Sequence, residues 1–120
     1  MGVLVDTSVW VDHLRKGDVQ LSQLLDKGRV LCHPFIIGEI ACGNLKNRAE
    51  ILSALSELER IPTIEFDEYM QFIHQNRLFG VGIGFVDVHL LASALLADVA
   101  LWTVDKRLQR VALDIGVAYQ

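Results

Sequence analysis

Four acidic side chains stand where an ordinary surface acid is not expected. Asp6 and Asp105 each follow a short apolar run, whereas Glu39 and Asp87 lie inside apolar segments with helical spacing. Carboxylates at short range raise each other's pKa unless a cation lies between them. Mg²⁺ or Mn²⁺ is the natural cation for a set of oxygen ligands. The chemistry that such a site supports is hydrolysis of a phosphodiester bond.

The elements that must position these acids are short strands alternating with helices. The predicted strands cover residues 2–6, 29–32, 100–104 and, more weakly, 117–119. Helical periodicity fills the intervals, with predicted helices at 34–42, 67–78 and 85–97 and further helices around Leu21, Leu52 and Leu108. This alternation is typical of a parallel sheet that helices cover on both faces. The carboxyl ends of parallel strands and the beginnings of the following helices share one edge, where all four acids can converge.

The size and composition of the chain indicate its class. Its 120 residues predict a single domain over 1–120. Apolar residues make up 52% and the mean hydropathy is +0.34, which suggests apolar surface kept for a partner or, alternatively, a large core. The net charge of −4 argues weakly against a nucleic-acid binder, although local basic clusters can override the total.

The cysteines and the hydropathy pattern indicate a compartment. Cys32 and Cys42 are too few for a disulfide framework and are typical of a reducing environment. The most apolar stretch, 81–104, carries two aspartates and a histidine, which are too many polar groups for a membrane span. The beginning of the chain lacks the pattern of a signal peptide. We therefore expect a cytoplasmic protein with no membrane partner.

Four blocks of the sequence resemble the PIN domain and, within it, the VapC-type ribonuclease toxins of bacterial toxin–antitoxin pairs. They are LVDTSVWVDHLR, HPFIIGEIACGNL, GIGFVDVHLLASALL and LWTVDKRL, in the order and spacing of that group. The resemblance implies a three-layer α/β/α sandwich, an endoribonuclease that depends on Mg²⁺ or Mn²⁺, a homodimer, and a cognate VapB-type antitoxin that blocks the site. Carried over by motif, the catalytic and metal-binding acids are Asp6, Glu39, Asp87 and Asp105.

Ser8 and Arg107 are the candidate contacts to an RNA substrate. Ser8 occupies the hydroxyl position after the first acid and could hydrogen-bond a carboxylate or a phosphate oxygen. Arg107 belongs to a basic group that follows Asp105, where it could contact phosphate or serve as an ordinary surface charge. His89 points away from Asp87 on a helix and is interpreted as a structural histidine. The four histidines show no paired ligand spacing, which argues against zinc.

Two other classes of protein stay open at this point. One is a PIN-like module that acts through protein contacts without catalysis, although four intact acids argue against it. The other is a phosphatase of the phosphoaspartate type, which needs a second aspartate where this chain has Ser8. The structural alternative for Asp6 is a helix cap. Asp98 and Asp114 also have apolar neighbours and are interpreted as structural turn residues.

Overall fold

Four short parallel strands form the sheet that carries the candidate site in the computed structural model, which describes residues 2–120. The strands are β1 (Val3–Val5), β2 (Val30–Cys32), β3 (Glu59–Arg60) and β4 (Ala100–Trp102). Their order across the sheet is β3-β2-β1-β4. The chain thus builds the sheet outward from β1 in one direction and then returns to place β4 on the other side of β1. This switch between β1 and β4 opens a crevice at their carboxyl ends, where open parallel sheets bind ligands.

Helices connect the strands and cover the sheet. In chain order they are α1 (Thr7–Lys16), α2 (Val19–Asp26), α3 (Pro34–Ala41), α4 (Arg48–Ser56), α5 (Phe66–Asn76), α6 (Phe85–Ala97) and α7 (Lys106–Ile115). Together with the parallel sheet they confirm the predicted three-layer α/β/α architecture. None of the helices in the described part of the chain has the length and apolarity needed to cross a membrane.

The core includes the whole of β1 and the middle of α6. All three residues of β1 are buried, as a strand in the middle of a parallel sheet requires. Every residue of α6 between Val88 and Ala94 is buried as well, so this helix lies inside the protein rather than on it. A rigid helix and a rigid strand therefore hold Asp87 and Asp6, which belong to the first turn of α6 and the end of β1.

The observed elements differ from the predicted ones at two places. The predicted strand 117–119 contributes only an isolated parallel bridge between Leu101 and Ala118. The strand β3 was not predicted, because Glu59 and Arg60 are exposed and polar and give no apolar run. The predicted helices agree with α3, α5 and α6 to within one or two residues.

Candidate active site

Asp6 lies at the carboxyl end of β1 with only 5% of its surface exposed. Its Oδ2 accepts hydrogen bonds from the hydroxyls of Ser8 at 2.7 Å and Thr103 at 2.8 Å, and from the backbone N–H of Ser8 at 3.4 Å. Within residues 2–120 its Oδ1 accepts no hydrogen bond. Asp6 therefore caps α1 with one oxygen, as the structural alternative predicted, and leaves the other oxygen available for a ligand.

Two hydroxyl groups join the ends of β1 and β4. The Oγ1 of Thr103 donates to Asp6 and accepts a hydrogen bond from the backbone N–H of Asp105 at 3.0 Å. The Oγ of Ser8 lies 3.2 Å from the Oγ1 of Thr103 and accepts from the backbone N–H of Val104 at 3.2 Å. Because both hydroxyl protons point to the same carboxylate oxygen, the position of Asp6 is fixed from two sides.

Asp105 and Asp87 each belong to the beginning of a helix. Asp105 is exposed and caps α7 by accepting the backbone N–H of Leu108 at 3.0 Å. Asp87 is half-buried in the first turn of α6 and accepts the backbone N–H of Gly84 at 3.2 Å. The free N–H groups and the positive end of the dipole at a helix N-terminus favour carboxylates. This explains how the fold holds several acids at one edge of the sheet.

Glu39 reaches the same edge from α3. It is exposed, and its Oε1 accepts a hydrogen bond from the Oγ1 of Thr7 at 2.6 Å. Thr7 follows Asp6 directly, so this bond ties Glu39 to the end of β1. The structure thus brings all four predicted acids to the carboxyl edge of the sheet.

The four carboxylates interact electrostatically. Burial raises the pKa of Asp87, and the hydrogen bond from Gly84 opposes this effect. The charges of Asp6, Asp105 and Glu39 then raise the pKa of Asp87 further. A carboxyl group whose charged form is disfavoured by three neighbouring acids is the arrangement expected where a cation is needed.

The donor chemistry of this cluster suits a divalent cation. The four side chains offer only oxygen ligands, and no lysine or arginine within residues 2–120 forms an ion pair with any of them. Over the same residues, no three His, Cys, Asp or Glu side chains are grouped closely enough to hold a metal ion as they stand. Oxygen donors of this kind are those that Mg²⁺ prefers, and this ion keeps several of its waters when bound to protein.

The structure also locates the two predicted substrate contacts. Ser8 is engaged in the hydrogen bonds to Asp6 and Val104, which is the carboxylate alternative considered for its hydroxyl. Arg107 lies against the glycine loop before α6: a Cβ at Gly82 would stand 2.8 Å from the Cδ of Arg107 and 2.9 Å from its Nη1. Gly82 has a φ of +84°, which favours glycine, and the flexible end of the Arg107 side chain lies over it. A contact of Ser8 or Arg107 with RNA stays a prediction.

Two buried histidines lie close to this edge of the sheet. His33 follows β2 and is fully buried; its Nδ1 accepts the backbone N–H of Phe35 at 3.0 Å and caps α3. Burial, assisted by the neighbouring His89, lowers the pKa of His33 to about 4. His89 is buried and stacks on Tyr69 with ring centroids 4.6 Å apart, and burial lowers its pKa. This packing is consistent with the structural role predicted for His89.

Sequence reasoning missed Thr103 and His33. Thr103 stands two residues before a strand-end acid, and a hydroxyl residue at that position is the only signal that could have pointed to it. His33 stands directly before Pro34, where a helix cap is expected, but a histidine is an uncommon cap.

Comparison with known proteins places the chain in a family. The PIN domain family matches residues 3–113. The chain is 44% identical over 117 residues to Ribonuclease VapC32 from two strains of Mycobacterium tuberculosis, CDC 1551 / Oshkosh and ATCC 25618 / H37Rv; the match covers 97% of this chain and 94% of each relative. The chain therefore belongs to the PIN domain family and, within it, to the VapC group, as its sequence blocks predicted.

A solved structure supports the same fold. The crystal structure of PAE2754 from Pyrobaculum aerophilum matches with a TM-score of 0.68 over 97% of this chain and 96% of that chain. The two sequences are only 14% identical, so this likeness concerns the fold alone.

Proposed function

We propose that this chain is a divalent-metal-dependent endoribonuclease and the toxin of a toxin–antitoxin pair. The observation that carries the proposal is the convergence of Asp6, Glu39, Asp87 and Asp105 at the β1/β4 switch point, with no ion pair to a lysine or arginine of residues 2–120. The 44% identity to a protein named as a ribonuclease supports RNA as the substrate class.

The four acids serve as the metal-binding and catalytic groups in this proposal. Asp6, through its unbonded Oδ1, and Asp87 would hold Mg²⁺ or Mn²⁺ directly, and Glu39 and Asp105 would hold it through waters. When bound, the cation supplies a Lewis acid that activates water and neutralises charge on the scissile phosphate. The cation would stabilise the charged form of Asp87, which the neighbouring carboxylates disfavour when no cation is bound.

The surrounding side chains position these acids and the substrate. Ser8 and Thr103 hold Asp6 in a single orientation through its Oδ2, which keeps Oδ1 directed away from the protein network. In this proposal the hydroxyl of Ser8 also meets a phosphate oxygen of the RNA. Arg107 projects over the glycine loop and contacts the phosphate backbone of the RNA in this proposal.

Residues 1–120 form one domain in this proposal, and the protein acts in the cytoplasm as a homodimer with a VapB-type antitoxin as its inhibitor. The described surface has the apolar side chains that such contacts use. Leu96 is 63% exposed and Met70 is 50% exposed, for example. Neither of these exposed side chains is among the groups that hold the four acids in place.

Cleavage of structured RNA tests the proposed function. Purified protein is incubated with a mixture of transfer RNAs in the presence of Mg²⁺ or Mn²⁺, and in EDTA as the metal-free control. We expect cleavage that EDTA abolishes and that an Asp6→Asn variant lacks. Cleavage that persists in EDTA and in the Asp6→Asn variant contradicts the metal mechanism. A folded wild-type chain that cleaves no RNA favours the non-catalytic PIN-like module.

A further inference from the structure

A cavity of about 260 Å³ opens beside the acid cluster, between α3 and the first turn of α6. Glu39 and Val86 both line it, and Val86 adjoins Asp87 in the chain. The cavity therefore has one of the four acids, Glu39, in its lining and lies next in the chain to a second, Asp87. Its volume is slightly below that of typical small-ligand pockets, so it has room for a single ring system rather than a folded segment.

The walls of the cavity are aromatic. The rings of Phe35 and Phe85 both line it, with centroids 6.0 Å apart and an interplanar angle of 28°. Phe85 is 52% exposed, although burial of a phenylalanine side chain stabilises a protein. Behind it, the rings of Tyr69 and His89 contact Phe85 at centroid distances of 4.9 and 4.6 Å. Phe85 is thus a large exposed ring that its neighbours already hold in place.

The charges of the residues that line the cavity indicate which kind of ligand it can bind. Of the described residues that line the cavity, Glu39 alone carries a charge. None of these described lining residues is basic, so the cavity walls offer no partner to a phosphate group of the nucleic-acid backbone. A flat, uncharged ring can instead cover the exposed phenyl groups. Nucleobases have this form, and stacking on aromatic side chains is the common way in which proteins bind unpaired bases of RNA.

We propose that this cavity receives one nucleobase of the RNA substrate, next to the scissile phosphate, with Phe85 and Phe35 as its stacking surface. The proposal rests on the proposed ribonuclease function and adds a determinant of base preference to it. Because Glu39 lines the cavity and Phe85 and Val86 directly precede Asp87, a base held there belongs to a nucleotide close to the cleaved bond. Phe85 is already fixed by its neighbours, so little side-chain freedom is lost on binding.

The base preference at the cut site tests this proposal. Wild-type protein and a Phe85→Ala variant cleave a single-stranded RNA library of random sequence with Mn²⁺, and the cut ends are sequenced. We expect the wild type to prefer particular bases at one position beside the cut. Phe85→Ala loses this preference, and its kcat/KM falls roughly 5- to 150-fold. Phe85→Trp restores both, because it returns an aromatic ring.

Phe66→Ala is the matched control. Phe66 is 62% exposed and stacks on Tyr69 at a centroid distance of 5.9 Å, so it belongs to the same aromatic cluster, but it does not line the cavity. We expect its substitution to leave base preference and kcat/KM unchanged. A Phe85→Leu variant keeps an apolar side chain without the ring, and it repeats the test if Phe85→Ala does not fold.

The outcomes separate the cavity from the ribonuclease function. An active wild type with the same base preference and kcat/KM as Phe85→Ala overturns the role of the cavity and leaves the ribonuclease function intact. A wild type that cuts no RNA with either metal ion overturns both. Sedimentation of each variant gives the third outcome. If Phe85→Ala turns a dimer into a monomer and loses activity without a change in preference, the rings contact a second copy of the chain and the proposal is wrong.

Discussion

The two ends of β4 carry the same type of side chain in opposite surroundings. Asp98, before the strand, ends α6 with its backbone in the left-handed region (φ 56°), and its side chain is exposed. Asp105, after the strand, caps α7 with its side chain, donates its backbone N–H to Thr103, and helps to raise the pKa of Asp87. Helices begin at one end of this sheet and finish at the other. Only the end with free N–H groups gathers carboxylates.

The difference between the two ends of the sheet is tested most strongly by neutralising an acid at each of them. We expect Asp6→Asn and Asp87→Asn each to lower kcat/KM for RNA cleavage by more than about 100-fold, since even the partners of metal ligands account for 10- to 100-fold. Asp98→Asn, at the opposite end, should leave the rate unchanged. The measurement is initial-rate cleavage with Mg²⁺ at saturating and subsaturating RNA.

Stability without metal separates catalysis from folding in these variants. Removal of a negative charge relieves repulsion among the remaining acids, so thermal unfolding in EDTA should occur at the same or a higher temperature than in the wild type. A folded Asp6→Asn variant with full activity would contradict the role of the cluster. Equal losses of activity in Asp6→Asn and Asp98→Asn would show that the two ends of the sheet do not differ.

A smaller effect is expected from the hydroxyl that links β1 to β4. Thr103→Val keeps the shape of the side chain, but it removes the hydrogen bond to Asp6 and the acceptor for the backbone N–H of Asp105. We expect activity to fall about 10- to 100-fold, as for other groups that orient metal ligands. The free energy of unfolding should fall by about 1–3 kcal/mol, because buried polar groups lose their partner. Urea denaturation and cleavage assays measure the two effects.

Ser93→Ala is the control for the loss of a buried hydroxyl. The Oγ of Ser93 is buried and has no hydrogen-bond partner among the described residues, so it contributes no bond that alanine would remove. We expect this variant to be as stable as the wild type or slightly more stable, with unchanged activity. If Ser93→Ala loses as much activity as Thr103→Val, the loss in Thr103→Val does not come from the hydrogen bonds that join β1 to β4.

The main outlines of the fold and the site could be predicted because their signals are local. β1 is an apolar run that ends in an acid, and α6 has sustained helical spacing, so both the elements and the positions of Asp6 and Asp87 follow from short stretches of sequence. The convergence of the acids then follows from the general property that parallel strands share one carboxyl edge. The catalytic and metal-binding roles of the acids stay predictions.

The remaining features depend on residues that are far apart in the chain. Thr103 and Asp6 are 97 positions apart, and no periodicity in either segment encodes their hydrogen bond. β3 exists because Leu31 and Cys32 pair with Glu59 and Arg60, not because the latter have strand-forming side chains. The predicted strand at 117–119 has suitable residues but makes only one bridge, between Leu101 and Ala118, and its own sequence does not indicate this.

His33, at the carboxyl end of the sheet, also makes the free energy of unfolding depend on pH. The pKa of this buried side chain is about 4, whereas its ordinary value is 6.5. Between pH 4 and pH 6.5 the His33 side chain binds a proton in the unfolded chain but not in the folded chain. The free energy of unfolding therefore falls as the pH decreases from 6.5 towards 4. Above pH 6.5 this contribution to stability is fully present. The expected loss is about 3 kcal/mol at about pH 4 and about 2 kcal/mol at about pH 5, since one pKa unit corresponds to about 1.4 kcal/mol. Urea denaturation at pH 5 and pH 7.5 measures it.

His33→Asn isolates this contribution. Asparagine is a good helix cap and can accept the N–H of Phe35, but it does not titrate. The variant should be less stable at pH 7.5, because a smaller side chain leaves a cavity, and should lose less stability than the wild type on going to pH 5. An identical loss in the two proteins would assign the pH dependence to other groups, such as His89.

The smallest expected effect lies at the opposite end of the sheet and concerns Asp98. A residue with a Cβ is strained in the left-handed region, and glycine is the usual residue where a helix ends in this conformation. Asp98→Gly should therefore raise the free energy of unfolding by about 0.5–1 kcal/mol. Asp98→Ala, which keeps the Cβ, should give no such gain. RNA cleavage should be unchanged in both variants, since this end of β4 has no contact with the acids. A change in cleavage with Asp98→Gly would mean that the helix end before β4 influences the site after it, and the two ends of the sheet would then act as one unit.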